Sequence, residues 1–243
     1  MLIYGINAVA EALRAGRVTQ VRIAGRDDDR LRRVIADAAA RGVEVVRVAA
    51  DALDRDARRG VHQGIVADVG KLPDRTLADL ARSDAGPPLI VVLDGIEDPQ
   101  NVGAILRTVD AAGATGVVRQ TRRAAPLDGA AAKASAGAVH HVPVADVVNI
   151  ARALEELKDA GVWTVGLDAD AKTPYYELDL TVSTALVLGA EGQGLRRLVR
   201  ERCDFVAAIP MAGHVGSLNV SAAAAIVLFE AVRQRRSTPQ RVS

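Results

Sequence analysis

The chain has 243 residues, 49% of them hydrophobic, and its 31 lysines and arginines against 30 acidic residues leave a net charge of +1. That length supports a sizeable core, in one large domain or in a small one joined to a larger, and the near-neutral balance excludes a protein that holds nucleic acid by overall charge. Aromatic residues at 2% exclude a surface built on base stacking, and no apolar run approaches the roughly 20 residues of a membrane-spanning helix.

Asn7 is placed to cap a short helix over Ala8 to Ala15 that Gly16 ends. Val18 to Ala24 reads as a strand, Asp28 to Arg41 as an amphipathic helix stopped by Gly42, and Val43 to Ala49 as a second strand. A helix over Ala50 to Arg59 and a strand over Gly64 to Val69 complete a small α/β unit. Its charge is slightly basic, net +3 over residues 1–71 against net −2 over residues 72–243. Turn-formers and charge between Gly70 and Pro88 enclose a short helix around Leu77 to Ala81, so the expected division is 1–69, a linker at 70–87, and a second domain at 88–243. Short strands at Leu89 to Leu93, Gly116 to Val118, Val162 to Leu167, Ala185 to Leu188 and Phe205 to Ile209 then alternate with helices. This is the pattern of an α/β fold with a mostly parallel sheet covered on both faces.

Ligands of open α/β sheets collect at the carboxyl ends of strands, and three segments there stand out. The first, Asp98-Pro99-Gln100-Asn101-Val102-Gly103-Ala104-Ile105-Leu106-Arg107, opens a helix on which Asn101 and Arg107 point about 120° apart. Read alone, it is more simply a helix start capped by Asp98 with a solvated arginine. The second, Leu188-Gly189-Ala190-Glu191-Gly192-Gln193-Gly194-Leu195, packs three glycines around one glutamate. Its spacing is neither the dinucleotide fingerprint nor a phosphate loop. It reads as a ligand-lining turn or as a plain strand-to-helix turn. The third runs from Ile209-Pro210-Met211-Ala212-Gly213 through Ser217-Leu218-Asn219-Val220-Ser221 into a helix apolar nearly all round, which must be buried. Its polar residues serve a ligand or a helix cap.

No metal site is expected. The single cysteine, Cys203, has no partner thiol, and His140 and His141 are read as pointing to opposite faces of a strand. Arg30, Arg32 and Arg33, and Arg119, Arg122 and Arg123, are candidates for RNA phosphate contact, although each cluster taken singly reads as a solvated face. Arg196, Arg197, Arg200 and Arg202 are read as a solvated helix face. The start of the chain lacks an export signal pattern, so a cytoplasmic location is expected.

In order and spacing, the three segments resemble the three motifs of the SpoU branch of the SPOUT methyltransferases. Ile3-Tyr4-Gly5-Ile6-Asn7-Ala8-Val9 and Val61-His62-Gln63-Gly64-Ile65 resemble the auxiliary RNA-binding domain, similar to a ribosomal L30e protein, of the RlmB group, which modifies a guanosine ribose of 23S rRNA. The resemblance covers nearly the whole chain. It implies a catalytic domain tied in a deep trefoil knot, a homodimer, no membrane association, and S-adenosylmethionine held by backbone around Leu188, Gly189, Ile209, Met211 and Leu218. It implies catalytic roles for Asn101, Arg107, Glu191, Ser217 and Asn219 in methylating a ribose 2′-hydroxyl of RNA. Making an arginine a base near neutral pH costs roughly 7 kcal/mol. Arg107 is therefore expected to bind a phosphate and stabilise charge on the 2′-oxygen rather than to take its proton. The alternatives are a transfer-RNA 2′-O-methyltransferase, an antibiotic-resistance rRNA methylase, a non-catalytic knotted RNA-binding factor and, disfavoured by the glycine spacing, a dehydrogenase.

Overall fold

A computed structural model of the chain describes residues 2–25, 28–57, 60–70, 74–122 and 124–237. In chain order its elements are β1 (Leu2–Tyr4), α1 (Ile6–Arg14), β2 (Val18–Ile23), α2 (Asp29–Ala40), β3 (Glu44–Arg47), α3 (Ala50–Asp56), β4 (Ile65–Val69), α4 (Leu77–Leu80), β5 (Leu89–Asp94), α5 (Pro99–Ala112), β6 (Gly116–Gln120), α6 (Gly129–Ala134), β7 (Val144–Val147), α7 (Ile150–Asp159), β8 (Trp163–Leu167), β9 (Thr173–Pro174), β10 (Thr184–Gly189), α8 (Arg197–Arg202), β11 (Phe205–Ala208) and α9 (Val220–Ser237). The chain divides into two compact units: Met1–Pro73 with Pro99–Arg107 and Ala125–His141, and Asp74–Asp98 with Thr108–Ala124 and Val142–Ser243.

The first unit is built on a four-stranded sheet in the order β1-β4-β2-β3, antiparallel except for the β2–β3 pair. β1 was not expected from the sequence; it pairs only with β4, more than sixty residues on. The Asp28 carboxylate accepts from the Leu31 N–H at 2.8 Å and caps α2. α1 corrects the expected cap, because it starts at Ile6 and Asn7 lies inside its first turn. The Gln63 side-chain carbonyl instead accepts from the Ile6 N–H at 3.0 Å. His62 shapes the same corner: its Nδ1 accepts from the Gly64 N–H at 3.0 Å and its Nε2 lies 3.1 Å from Asp54. The stretches 3–9 and 61–65 thus meet in space, and their side chains hold the corner together.

This unit also holds the first turns of α5, with α6 and the 3-10 turn Ala138–His140. A Cβ on Gly103 would lie 2.6 Å from the Ala131 carbonyl oxygen and 2.9 Å from the Ser135 nitrogen, so α5 and α6 cross at backbone contact. His140 and His141 belong to the turn and its end, which corrects their reading as strand residues. The His140 ring is buried and neither of its nitrogens has a hydrogen-bond partner. Burial, with Arg17 and His141 nearby, lowers its pKa to about 4.

The second unit is a seven-stranded sheet in the order β7-β6-β5-β10-β8-β11-β9, with every pairing parallel. All six residues of β5 are buried, as expected of a central strand covered on both faces. Ile90 and Val92 of β5 and Ala185 and Val187 of β10 pack on Leu80 of α4, on Ile150, Leu154 and Leu157 of α7, and on Val199 of α8. Fully burying side chains of this size contributes about 1.5–3 kcal/mol each. The expected boundaries at 1–69, 70–87 and 88–243 differ from these units in two respects. Leu80, from the expected linker, sits in the second unit's core, and two stretches after residue 88 group with the first unit.

Candidate active site

The strand order sets β10, β8 and β11 side by side, so the chain leaves three neighbouring parallel strands at one edge. At those carboxyl ends lies a cavity of about 430 Å³, in the size range of small-molecule sites and at the position where α/β sheets bind ligands. Leu167 to Asp170 at the end of β8 and beyond it, Leu188 to Leu195 at the end of β10 and beyond it, and Ala207, Ile209 and Met211 in and after β11 form its walls, with Gly216, Ser217, Leu218, Val220 and Ala223 closing it. Each of Leu188, Gly189, Ile209, Met211 and Leu218 therefore lines one cavity, together with Glu191 and Ser217.

The glycine-rich turn is a closed loop. The Gly194 N–H donates to the Ala190 carbonyl at 2.8 Å, and the two residues form an antiparallel bridge. A Cβ on Gly189 would fall under 3.0 Å from the Gly194 carbonyl group and the Leu195 nitrogen, so the chain's own return over β10 demands glycine there. Past the turn, Asp94 at the end of β5 is 1% exposed and accepts from the Arg196 backbone N–H at 2.9 Å and from its Nε at 2.6 Å. Arg196 is thus a buttress for the loop, which corrects its reading as part of a solvated face. Arg197 pairs with Glu201 and Arg202 with Glu155 at the surface.

Asn219 joins the second and third motifs. Its Oδ1 accepts from the Ser221 N–H at 2.9 Å and from the Ser221 hydroxyl at 2.6 Å, while its carbonyl accepts from the Ala223 N–H at 3.0 Å. It is therefore the cap of α9. Its Nδ2 donates to Glu191 Oε1 at 2.6 Å. The cap expected of these polar residues is present, and the same side chain also reaches Glu191 on the cavity wall.

Sequence reasoning passed over Asp168, which follows β8 and lines the cavity. Its Oδ1 accepts from the Asp170 N–H at 2.9 Å and its Oδ2 from Arg200 Nε at 2.6 Å. Burial works against its ionisation, but those two donors prevail and its pKa is lowered. Its position directly after an expected strand was the available signal. Cys203 is a core thiol whose pKa burial pushes up to about 12.

The remaining expected residues are not among those that line the cavity. Asn101 and Arg107 sit on the part of α5 that belongs to the first unit, Asn101 buried at 7% exposure and Arg107 exposed. Arg30, Arg32 and Arg33 are exposed on α2, with Arg32 paired to Asp29. Arg119 is only 16% exposed and donates to Asp146 of β7 at 2.8 Å, so its charge is already engaged within the sheet. Arg122 is exposed, and Arg123 lies outside the described residues. Among the described residues no helix is long and apolar enough to cross a membrane, and no cluster of His, Cys, Asp and Glu has the makings of a metal site.

A parallel sheet with a glycine-turned cavity at its carboxyl edge, preceded by a small sheet domain, defines a two-part α/β enzyme. Residues 88–229 match the SpoU rRNA Methylase family and residues 2–74 match the family described as RNA 2'-O ribose methyltransferase substrate binding; the chain belongs to the SpoU rRNA methylases. A 23S rRNA (guanosine-2'-O-)-methyltransferase RlmB of Pseudomonas syringae pv. tomato is 45% identical over 96% of this chain and 95% of its own length. An uncharacterized tRNA/rRNA methyltransferase of Mycolicibacterium gilvum is 47% identical over 97% of this chain and 77% of its own. The SpoU methyltransferase AviRb from Streptomyces viridochromogenes, solved in complex with the cofactor AdoMet, shares the fold with a TM-score of 0.81 at 28% identity, covering 98% of this chain and 91% of that one.

Proposed function

We propose that this chain methylates the ribose 2′-hydroxyl of a guanosine in 23S rRNA with S-adenosylmethionine as donor. The observation that carries the reading is the cavity at the ends of β8, β10 and β11. It is walled by glycine backbone, by apolar residues and by the acidic Asp168, Asp170 and Glu191, the last hydrogen-bonded to Asn219. Its size, and an acidic lining with no lysine, arginine or histidine among the described residues, suit a donor that is itself a cation. The name of the Pseudomonas relative supplies the substrate.

When bound, S-adenosylmethionine supplies an electrophilic methyl group on a sulfonium. Leu188, Gly189, Ile209, Met211 and Leu218 hold it in this reading, and the closed 190–194 turn fixes the wall before binding, so the loop does not have to be ordered by the ligand. Asn219, locked by its capping bonds, orients the Glu191 carboxylate. Ser217 lines the cavity and, in this reading, its hydroxyl serves the substrate. Asn101 positions the substrate ribose, and Arg107 binds a target phosphate and stabilises charge developing on the 2′-oxygen, which a guanidinium does without giving up its proton. In-line transfer asks for alignment and removal of one proton and has no need of a metal. An Arg107→Lys variant retaining nearly full methyl transfer would count against a guanidinium-specific role.

Arg30, Arg32, Arg33 and Arg122 are the proposed phosphate contacts; Arg119, held by Asp146, is better read as part of the sheet. The homodimer, the knotted catalytic domain and the cytoplasmic location belong to the same reading. α9 supports the homodimer: its apolar sequence calls for burial, yet Ala222 and Phe229 stay exposed in the single chain. Mapping ribose methylation in cells lacking the protein tests the whole. Loss of one 23S rRNA mark, restored by the wild-type chain, is expected; loss confined to a transfer RNA, or no loss, overturns the target.

A further inference from the structure

The lining of the cavity carries a charge imbalance that the methyl transfer itself does not require. Asp168, Asp170 and Glu191 contribute the acidic side chains, and among the described residues no lysine, arginine or histidine lines it. Glu191 is met by the neutral Asn219 amide. Arg200 holds Asp168 through one oxygen, and Asp170 donates its backbone N–H to the other. The Asp168 side chain is 19% exposed and Arg200 46%, so the carboxylate is the inner member of the pair and the guanidinium the outer one. Held in this way, the carboxyl stays ionised at neutral pH.

The two ligands such a site must distinguish differ in charge. S-adenosylmethionine carries a sulfonium, an ammonium and a carboxylate, net +1. After the methyl moves to the 2′-oxygen and that hydroxyl's proton departs, sulfur keeps the electron pair of the broken bond. S-adenosylhomocysteine is then net neutral. An enzyme whose donor and product share nearly every atom is prone to product inhibition unless something reads this difference. We propose that Asp168 is a donor-selecting residue, its carboxylate favouring the cationic methyl donor over the uncharged product in the same cavity. This rests on the cavity being the donor site. A unit charge within roughly 8 Å in a partly wet site of effective dielectric about 30 is worth roughly a tenfold preference.

Isothermal titration of the intact protein with S-adenosylmethionine, S-adenosylhomocysteine and sinefungin, whose amine replaces the sulfonium, separates charge from shape. Asp168→Asn is expected to weaken S-adenosylmethionine and sinefungin roughly tenfold while leaving S-adenosylhomocysteine within about twofold, and Asp168→Glu to restore the preference. Arg200→Gln removes the outer positive charge and is expected to move the donor-to-product ratio the opposite way, a second reading should Asp168→Asn fold poorly. Equal weakening of all three ligands by Asp168→Asn would make the residue a shaper of the wall, and unchanged affinities would make it a bystander; either overturns the proposal. If the wild-type protein binds none of the three, the donor-site reading fails, and this inference fails with it.

Discussion

Gly189→Ala puts the architecture of the cavity to a direct test. The added methyl would fall under 3.0 Å from the Gly194 carbonyl group and the Leu195 nitrogen, where ordinary contact begins at 3.4 Å. Backbone, unlike the tip of a flexible side chain, has no rotamer to retreat into, so the 190–194 turn must back away by more than about 0.4 Å, the gap between those two limits. The turn is pinned on its far side by the Arg196–Asp94 contact, so part of the overlap is stored as strain. Overpacking of this kind costs about 1–3 kcal/mol, or roughly 2–12 °C of melting temperature for a chain of this size. Because the turn is a cavity wall, affinity for S-adenosylmethionine should fall at least about tenfold, a loss of about 1.4 kcal/mol. Thermal melting and calorimetric titration read the two effects separately. Gly213→Ala is the matched control: a Cβ there meets nothing within 4 Å, and stability should change by no more than about 0.5 kcal/mol. A Gly189→Ala protein that melts and binds like wild type would refute the claim that the return of the backbone sets the wall.

Asn219→Asp keeps an oxygen to cap α9 but replaces the amide facing Glu191 with a second carboxylate; methyl transfer in single-turnover assays should drop at least about tenfold while helix content by circular dichroism stays unchanged. Asp94→Ala removes the acceptor for the Arg196 backbone N–H and guanidinium; because the arginine left behind is half exposed and can be solvated, denaturant titration should show a loss of about 1–2 kcal/mol. His140 gives a pH signature. Its folded pKa, about 4, lies below its ordinary 6.5, so the unfolded chain takes up the proton first and stability declines as pH falls from 6.5 towards 4, by at most about 3 kcal/mol. His140→Phe should flatten that decline in denaturant titrations at pH 7 and pH 5; an unchanged slope would place its origin elsewhere.

What the sequence revealed and what it concealed divide along the range of the interactions involved. Strands buried on both faces, such as Leu89 to Leu93, announce themselves as continuous apolar runs because both faces make the same demand. The helix cap at Asp28 is equally visible, since the carboxylate and the N–H it accepts from are three residues apart. The cap of α1 was misplaced because its acceptor, Gln63, arrives from 57 residues away. The same holds for Arg196, whose partner Asp94 is 102 residues distant. No local pattern reports such a pair.

β7 is a case in which a strand hidden in the sequence decides the setting of a charged side chain. β7 is four residues long, follows Pro143 and carries Asp146, so neither its length nor its composition marks it as a strand. From local pattern alone, Arg119 near the end of β6 reads equally as a phosphate contact or as part of a solvated face. Once β7 is paired with β6, residue 146 falls opposite residue 119 and the arginine has a partner. Asp168 is the converse case. The strand before it was read almost to the residue, and the rule that ligands gather at strand ends pointed to it, but glycine-rich segments drew attention away from a lone carboxylate. Register is therefore worth establishing before charge is interpreted, because a side chain's electrostatic role depends on which strand lies beside it.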